Sequence, residues 1–436
     1  MQRVPELKSK IEAHTAVIAT VGLGYVGLPL LLEFSKKGFP TLGIDVNREK
    51  ITSLAEGSSY VLDVSDSEIK KANQSGANWS DSFEELQESD AIIICVPTPL
   101  GKTRDPDLQH LIAAAEAIRD RLKPGMLVCL ESTTYPGTTR DLLCPILEES
   151  GLKAGIDFHL TFSPERIDPG RKEPVLADIP KVVGGLTPTC LDLGCRLYGE
   201  IIHEIQPVSS TEAAEMVKLL ENTFRAVNIA LVNEVAIMCD KLGLDPWEVV
   251  EAAATKPYGF MAFTPGPGVG GHCIPLDPHY LSWKLKTLDY NARFIQLAGE
   301  INSGMPQFWA DKIQAELNRV RKPLNGSRVL LLGIAYKKNT NDVRESPALE
   351  LIRILQSQGA DVSFYDPYVA RVEVSEAPAL ERVASLEAGI RQADCTVIVT
   401  DHDAFDWNLV DQAAQVVDCR DVLRKRRRAA GQLFPV

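Results

Sequence analysis

None of the nine cysteines forms a CxxC pair, and their odd number fits reduced thiols in a reducing compartment. Basic charge is also short. The 46 lysines and arginines stand against 59 acidic residues, a net charge of −13. With no cation excess to displace phosphate counterions, wholesale nucleic-acid binding is excluded. A phosphate-bearing small molecule is not, because it needs only one local set of donors. Nor is there an uninterrupted membrane span. The apolar stretch 16–34 is broken by Gly22, Gly24, Gly27 and Pro29 and carries Glu33, which fits a buried strand, a turn and a helix. The first fifteen residues are polar and resemble no targeting segment, so a cytoplasmic protein is expected. What is there is ordinary for a globular chain: 436 residues, 45% hydrophobic and 24% charged, enough for two or three domains.

Short apolar runs alternate with helical patterns through the first half. Residues 16–21, 40–45, 90–96, 125–131, 158–163 and 181–184 read as strands and 29–37 as a helix, which implies βαβ units and a parallel sheet. The pattern changes near Thr211. For some thirty positions apolar residues recur at helical spacing, with Met216, Leu220, Phe224, Leu231 and Val235 on one face, Thr211 as N-cap and Gly243 as stop. A helix this long connects two domains or builds a subunit interface. Strands return at 328–332, 361–365, 396–400 and 416–418, a second α/β domain with no glycine fingerprint and no visible repeat of the first. The fold class is therefore α/β: two Rossmann-like doubly wound domains joined by a long central helix and a helical domain. The basic run 424–428 reads as a solvated tail.

Gly22, Gly24 and Gly27 form a GxGxxG pattern between a strand and a helix. The first glycine permits the tight turn, the second lets backbone approach a pyrophosphate, and the third lets helix and strand pack closely. The helix N-terminus then presents N–H groups and a positive dipole end to the phosphates. Tyr25 and Val26 complete the turn. Asp45, 23 residues after Gly22 at the end of the second strand, can accept from ribose hydroxyls and would repel a 2′-phosphate, which favours NAD over NADP. Arg48 works against that preference unless it packs on the adenine. Two further strand ends, carrying Thr98 and Thr133, should approach the same cofactor, because ligands of such sheets bind at the carboxyl ends of strands.

The segment TPGPGVGGHCIPLDPHY is unusual. Gly266, Gly268, Gly270 and Gly271 precede Cys273, with His272, Asp277 and His279 beside it. Such a loop exposes a thiol next to bare backbone N–H groups, which fits a nucleophilic cysteine. The rival is a metal held by His272, Cys273, Asp277 and His279. Adjacent His-Cys is an awkward ligand pair and no remote motif completes the set, so no metal is expected.

Taken in order, VGLGYVGLP, KLLENTFRAVNIALVNE, GPGVGGHCIPLDP and LGIAYKKNTNDVRESPALEL closely resemble the UDP-glucose/GDP-mannose dehydrogenase family along nearly the whole chain. The resemblance implies an NAD-binding domain over 1–208, a central helical domain over 209–305 and a nucleotide-sugar domain over 322–436. It implies oxidation of a sugar C6 alcohol to the carboxylate with two NAD⁺ and no metal. Cys273 would form a thiohemiacetal and then a thioester. Lys218 and Asn222 would stabilise the oxyanion, Glu165 would act as general base, and Thr133 and Asp277 would hold the hydrolytic water. Arg344 would contact NAD. Arg166, Phe263, Gly266, Gly270 and Lys337 would bind the UDP-sugar beside Glu165, Lys218 and Asn222. Members are usually dimers or larger. Segments 163–170, 179–185 and 275–281 look most like the UDP-N-acetylglucosamine 6-dehydrogenase branch, with UDP-N-acetylmannosamine a close competitor. UDP-glucose is weakened because Lys256 is the one cation between Glu251 and Cys273.

Overall fold

The computed structural model describes residues 3–61, 63–101, 105–166, 175–271, 274–374 and 379–429. The chain divides into two compact units, Met1–Glu221 with His279–Tyr290, and Asn222–Pro278 with Asn291–Val436.

The first unit is built on an eight-stranded sheet in the order β3-β2-β1-β4-β5-β6-β7-β8. Its strands are β1 (Ile18–Val21), β2 (Thr41–Ile44), β3 (Asn78–Ser80), β4 (Ala91–Ile94), β5 (Leu127–Leu130), β6 (His159–Phe162), β7 (Lys181–Gly185) and β8 (Ile205–Val208). Every residue of β1, β2, β4, β5 and β6 is buried, as expected where helices cover both faces of a parallel sheet. The sheet is not wholly parallel, because β7 pairs antiparallel with β6 and β8 follows β7. Sequence reading missed β3 and β8. Both are edge strands, one of three residues and the other carrying Pro207, so neither shows a buried β pattern. The strand order reverses between β1 and β4, which opens a crevice at their carboxyl ends.

Helices α1 (Gly27–Lys36), α2 (Arg48–Ala55) and α3 (Pro188–Gly199) belong to this unit. Helix α4 runs from Thr211 to Leu242, as the spacing predicts, and its 32 residues extend roughly 48 Å. It begins in the first unit and ends in the second.

The second unit contains α5 (Pro246–Ala253) and the start of α6 (Asp277–Lys286), then α7 (Arg293–Arg319). Its four-stranded sheet has the order β10-β9-β13-β14, from β9 (Arg328–Leu332), β10 (Asp361–Tyr365), β13 (Cys395–Ile398) and β14 (Val416–Asp418), all parallel. A small antiparallel pair, β11 (Arg371–Val372) and β12 (Leu380–Glu381), borders that sheet, where Val383 N donates to the Phe364 carbonyl of β10 at 3.0 Å. Helix α8 (Pro347–Ser357) follows β9. The basic run begins in contact with the protein and not as a free tail: Arg424 is half-buried, while Lys425 and Arg426 are exposed. Val422–Ala429 forms helix α9, and Arg424 is tied to Asp421, Asp245 and Glu251 while Lys425 lies over the Trp247 ring. The charges looked solvated because their partners on α5 are about 175 residues away in sequence. No helix among the described residues is long and apolar enough to cross a membrane.

Candidate active site

The glycine turn of the first unit joins β1 to α1. Gly22 has φ +94°, and a Cβ there would lie 2.5 Å from the Cys95 carbonyl oxygen. A Cβ on Gly27 would lie 2.0 Å from the Gly22 carbonyl oxygen. Gly24 is different, because a Cβ there would meet nothing within 4 Å. Its missing side chain serves no packing need of the protein and leaves room for a ligand. Helix α1 has no side-chain cap at Val26; Leu28 N donates to the Gly24 carbonyl at 3.2 Å and Pro29 has no N–H, so Gly27 supplies the N-terminal donor of the helix. Tyr25 is exposed and Val26 half-buried. These residues fit a dinucleotide pyrophosphate.

Asp45 is buried at the end of β2. Its Oδ2 accepts from Leu23 N at 3.0 Å and Lys50 Nζ at 2.9 Å, and its Oδ1 from Asn47 N at 3.0 Å. One acceptor site of about four remains for a ribose hydroxyl. Arg48 neither packs nor points to the turn's carboxylate, being largely exposed with its Nε 2.6 Å from Asp81 Oδ2.

The ends of β4 and β5 are stitched together. Thr98 Oγ1 donates to the Thr133 carbonyl at 2.7 Å and Ser132 Oγ to the Val96 carbonyl at 2.7 Å. Tyr280 donates to the carbonyls of Thr98 and Pro99. Thr134, one residue on, is buried, and its hydroxyl has no partner among the described residues. Nothing in the sequence separates these adjacent threonines. Glu215 on α4 holds the same turn, accepting from Gly137 N at 2.6 Å and from Thr139 N at 2.8 Å.

Glu165 follows β6 and is buried. Its carbonyl accepts from Lys218 Nζ of α4 at 2.5 Å. Beside it Lys181, at the start of β7, makes a fully buried ion pair of 2.9 Å with Glu131. Burial pulls the Lys181 ammonium toward neutrality, but the carboxylates of Glu131 and Glu165 outweigh it and hold its pKa above the usual lysine value. Sequence reading missed both members of this pair. The one available signal was a lysine opening the apolar strand KVVGG. Arg166 is already engaged, with Nη1 2.6 Å from the Pro180 carbonyl and Nη2 2.5 Å from Glu221.

In the second unit the glycine loop is held from several sides. Gly266 N donates to Asn233 Oδ1 at 3.0 Å, and Trp309 Nε1 donates to the Gly266 carbonyl at 3.0 Å. A Cβ on Gly266 would sit 2.9 Å from the Arg420 guanidinium, on Gly270 2.7 Å from Tyr336, and on Gly271 2.7 Å from the Tyr336 ring. Gly271 N donates to the Arg344 carbonyl at 3.1 Å, while the Arg344 guanidinium forks onto Asp342. Phe263 is half-buried against Phe224, with ring centroids 6.0 Å apart. Lys337 is half-buried in the turn after β9. Asn222 is buried, and its Nδ2 donates to Asp277 Oδ2 at 2.5 Å, at the first residue of α6. Lys218 and Asn222 lie one turn apart on α4. Cys273 and His272 lie outside the described residues, as does 167–170 of the branch-specific segment.

The second unit repeats the turn chemistry of the first without its glycine fingerprint. Gly333, after β9, has φ +82° and its N donates to Tyr365 of β10 at 3.0 Å, as Gly22 N donates to Ile44 of β2 at 2.8 Å. A Cβ on Gly333 would lie 2.4 Å from the Thr400 carbonyl oxygen. Asp366, at the end of β10, takes the place of Asp45. It accepts from Ile334, Ala335, Tyr368 and Val369 N–H groups and from His402 Nε2 at 3.0 Å. A single glycine in an otherwise different loop leaves no pattern to find.

Three models of one family match the chain: the NAD binding domain of the UDP-glucose/GDP-mannose dehydrogenase family over residues 16–202, its central domain over 212–304, and its UDP binding domain over 330–425. UDP-N-acetyl-D-glucosamine 6-dehydrogenase of Pseudomonas aeruginosa is 40% identical over 355 residues, covering 81% of this chain and 83% of that one. UDP-N-acetyl-D-mannosamine dehydrogenase of Pyrococcus horikoshii is 35% identical over 416 residues, covering 94% and 96%. The solved structure of the UDP-D-ManNAc dehydrogenase from Pyrococcus horikoshii matches with a TM-score of 0.84 at 35% identity, covering 93% of this chain and 95% of that one.

Proposed function

The chain belongs to the UDP-glucose/GDP-mannose dehydrogenase family, an NAD-dependent nucleotide-sugar dehydrogenase, and on that premise we propose that it oxidises the C6 alcohol of a UDP-N-acetylhexosamine, with UDP-N-acetylglucosamine as the preferred substrate, to the uronate. NAD supplies the hydride acceptor for each of two oxidations, bound at the Gly22–Gly27 turn and Asp45. Glu165 takes the proton as the alcohol is oxidised to the aldehyde. Cys273 adds to the aldehyde as thiolate, giving a thiohemiacetal, and loss of a second hydride gives a thioester that water hydrolyses. Lys218 and Asn222 donate to the oxyanion. Asp277 orients the hydrolytic water. Lys337, Arg420 and the glycine loop bind the UDP-sugar.

The observation that carries this reading is the pinned glycine loop. Asn233, Trp309 and the Arg344 carbonyl fix the backbone that leads into Cys273, and Asn222 sits on the carboxylate that follows it. The relative at 40% identity favours the N-acetylglucosamine substrate. The N-acetylmannosamine reading is favoured instead by a match over more of the chain. A panel of UDP-N-acetylglucosamine, UDP-N-acetylmannosamine, UDP-glucose, UDP-N-acetylgalactosamine and GDP-mannose separates them. Two NADH per UDP-N-acetylglucosamine is expected. Two NADH from another sugar would move the substrate, and one NADH per sugar would sink the thioester.

A homodimer or larger assembly forms, in this reading, on the exposed apolar face of α4, where Leu220, Phe224, Leu231 and Met238 are 58%, 44%, 56% and 48% exposed. Light scattering that returned the mass of one chain would refute it.

A further inference from the structure

Two buried lysines grip Glu165 from either side. Lys218 Nζ takes the carbonyl that leaves the residue, at 2.5 Å. Lys181 Nζ reaches the Pro164 carbonyl, which belongs to the peptide that enters it, at 3.4 Å. Only Lys218 has a place in the reaction proposed above. Lys181 is 5% exposed at its side chain, its partner Glu131 is 0% exposed, and the ammonium stands 4.9 Å over the Tyr198 ring. A buried ion pair of this kind is weak evidence for stability, since apolar replacements of both partners are often neutral. It stands under the one carboxylate to which a proton-transfer role falls.

Resting on that reading of Glu165 as general base, we propose that Lys181 is a positioning residue for Glu165: through the Pro164 carbonyl and its ion pair with Glu131 it fixes the backbone that carries the base and lays a fixed positive charge behind it. The charged and titratable groups around the Glu165, Lys181 and Glu131 cluster come from every neighbouring element. Cys95 follows β4, Cys129 and Glu131 belong to β5 and its end, Lys181 to β7, Tyr198 to α3 and Lys218 to α4. Arg166, next in the chain, is neutralised by Glu221. Among these, the Lys181–Glu131 pair can be altered in two ways with opposite electrostatic sign.

The readout is the titration of the Glu165 carboxyl, followed by carbon-13 NMR on the full chain and assigned by the signal lost in Glu165→Gln. Lys181→Met with Glu131→Gln removes both charges and leaves no buried ion unpaired. Because Lys181 Nζ approaches the Glu165 peptide at the Pro164 carbonyl, the midpoint should rise by about one pH unit, a tenfold change in proton affinity. Glu131→Gln alone keeps the cation and removes its competitor, so the midpoint should fall. Circular dichroism and NAD binding should be unchanged in the double variant, and Glu131→Gln, which takes the buried Lys181 ammonium's partner away, should keep its fold at the titration temperature but melt lower. Midpoints that stay at the wild-type value, or move with the same sign in both variants, would overturn the proposal. If the double variant does not fold, the single variant still decides by its sign. The acid limb of the kcat profile should follow the midpoints. Midpoints that move while the limb stays would keep Lys181 in its role and remove Glu165 from the general-base role.

Discussion

Replacing Cys273 with alanine abolishes uronate formation, by about 10³-fold or more in kcat, and leaves NAD affinity as it was. Without the thiolate no thioester forms, and the second oxidation has no covalent acyl intermediate to pass through. The first oxidation does not use the sulfur, so the variant should release at most one NADH per sugar and accumulate aldehyde. NAD affinity is expected to persist because the Gly22–Gly27 turn and Asp45 belong to the first unit and the loop entering Cys273 to the second. Product analysis by mass spectrometry beside NADH counting checks both halves. Undiminished acid production by the alanine variant would refute the covalent scheme.

Two alanines in the glycine turn should fail in different ways. At Gly27 the added carbon would stand 2.0 Å from the Gly22 carbonyl oxygen, backbone that cannot yield without moving the turn. That substitution should cost about 1–3 kcal/mol of stability, as overpacking of a tight site does. It should also weaken NAD by roughly one to two orders of magnitude, because the N–H groups that meet the phosphates move with the turn. At Gly24 the added carbon meets nothing within 4 Å. Gly24→Ala should melt like the wild type and still lose NAD affinity by about tenfold or more, since the methyl enters the space of the ligand. Calorimetric titration with NAD and a thermal melt measure both effects. A Gly24→Ala chain with wild-type NAD affinity would mean that the pyrophosphate does not approach there.

How much of this was legible in the sequence depended on the range of the interaction. The glycine turn, the buried strands and α4 are local patterns, and each appeared within a residue or two of its predicted bounds. Edge strands β3 and β8 were hidden because half-exposed backbone carries no apolar period. The site was legible in part. Residues 218 and 222 show themselves by a spacing of four on one helix, but what each touches does not follow from it. Glu131 and Lys181 are 50 residues apart and meet through the sheet, and Asn233 meets Gly266 from 33 residues away. Arg166 illustrates the converse: its motif suggests a substrate contact, and the structure engages it with Glu221 and the Pro180 carbonyl. No single-sequence signal ranks such partners, because charge pairing across strands leaves no period.

The two glycine turns differ in what their carboxylates can still exchange. Asp45 keeps an acceptor site at a crevice, whereas Asp366 spends its oxygens on four backbone N–H groups and the buried His402 ring. In the language of linkage, the first unit borrows part of its stability from a metabolite pool, gaining RT ln(1 + [L]/Kd) as free NAD rises. The turn of the second unit is closed to that exchange and carries its own ligand in the form of a histidine. The resistance of the first unit to heat and proteolysis therefore follows the concentration of free dinucleotide around it, and the second turn does not register it.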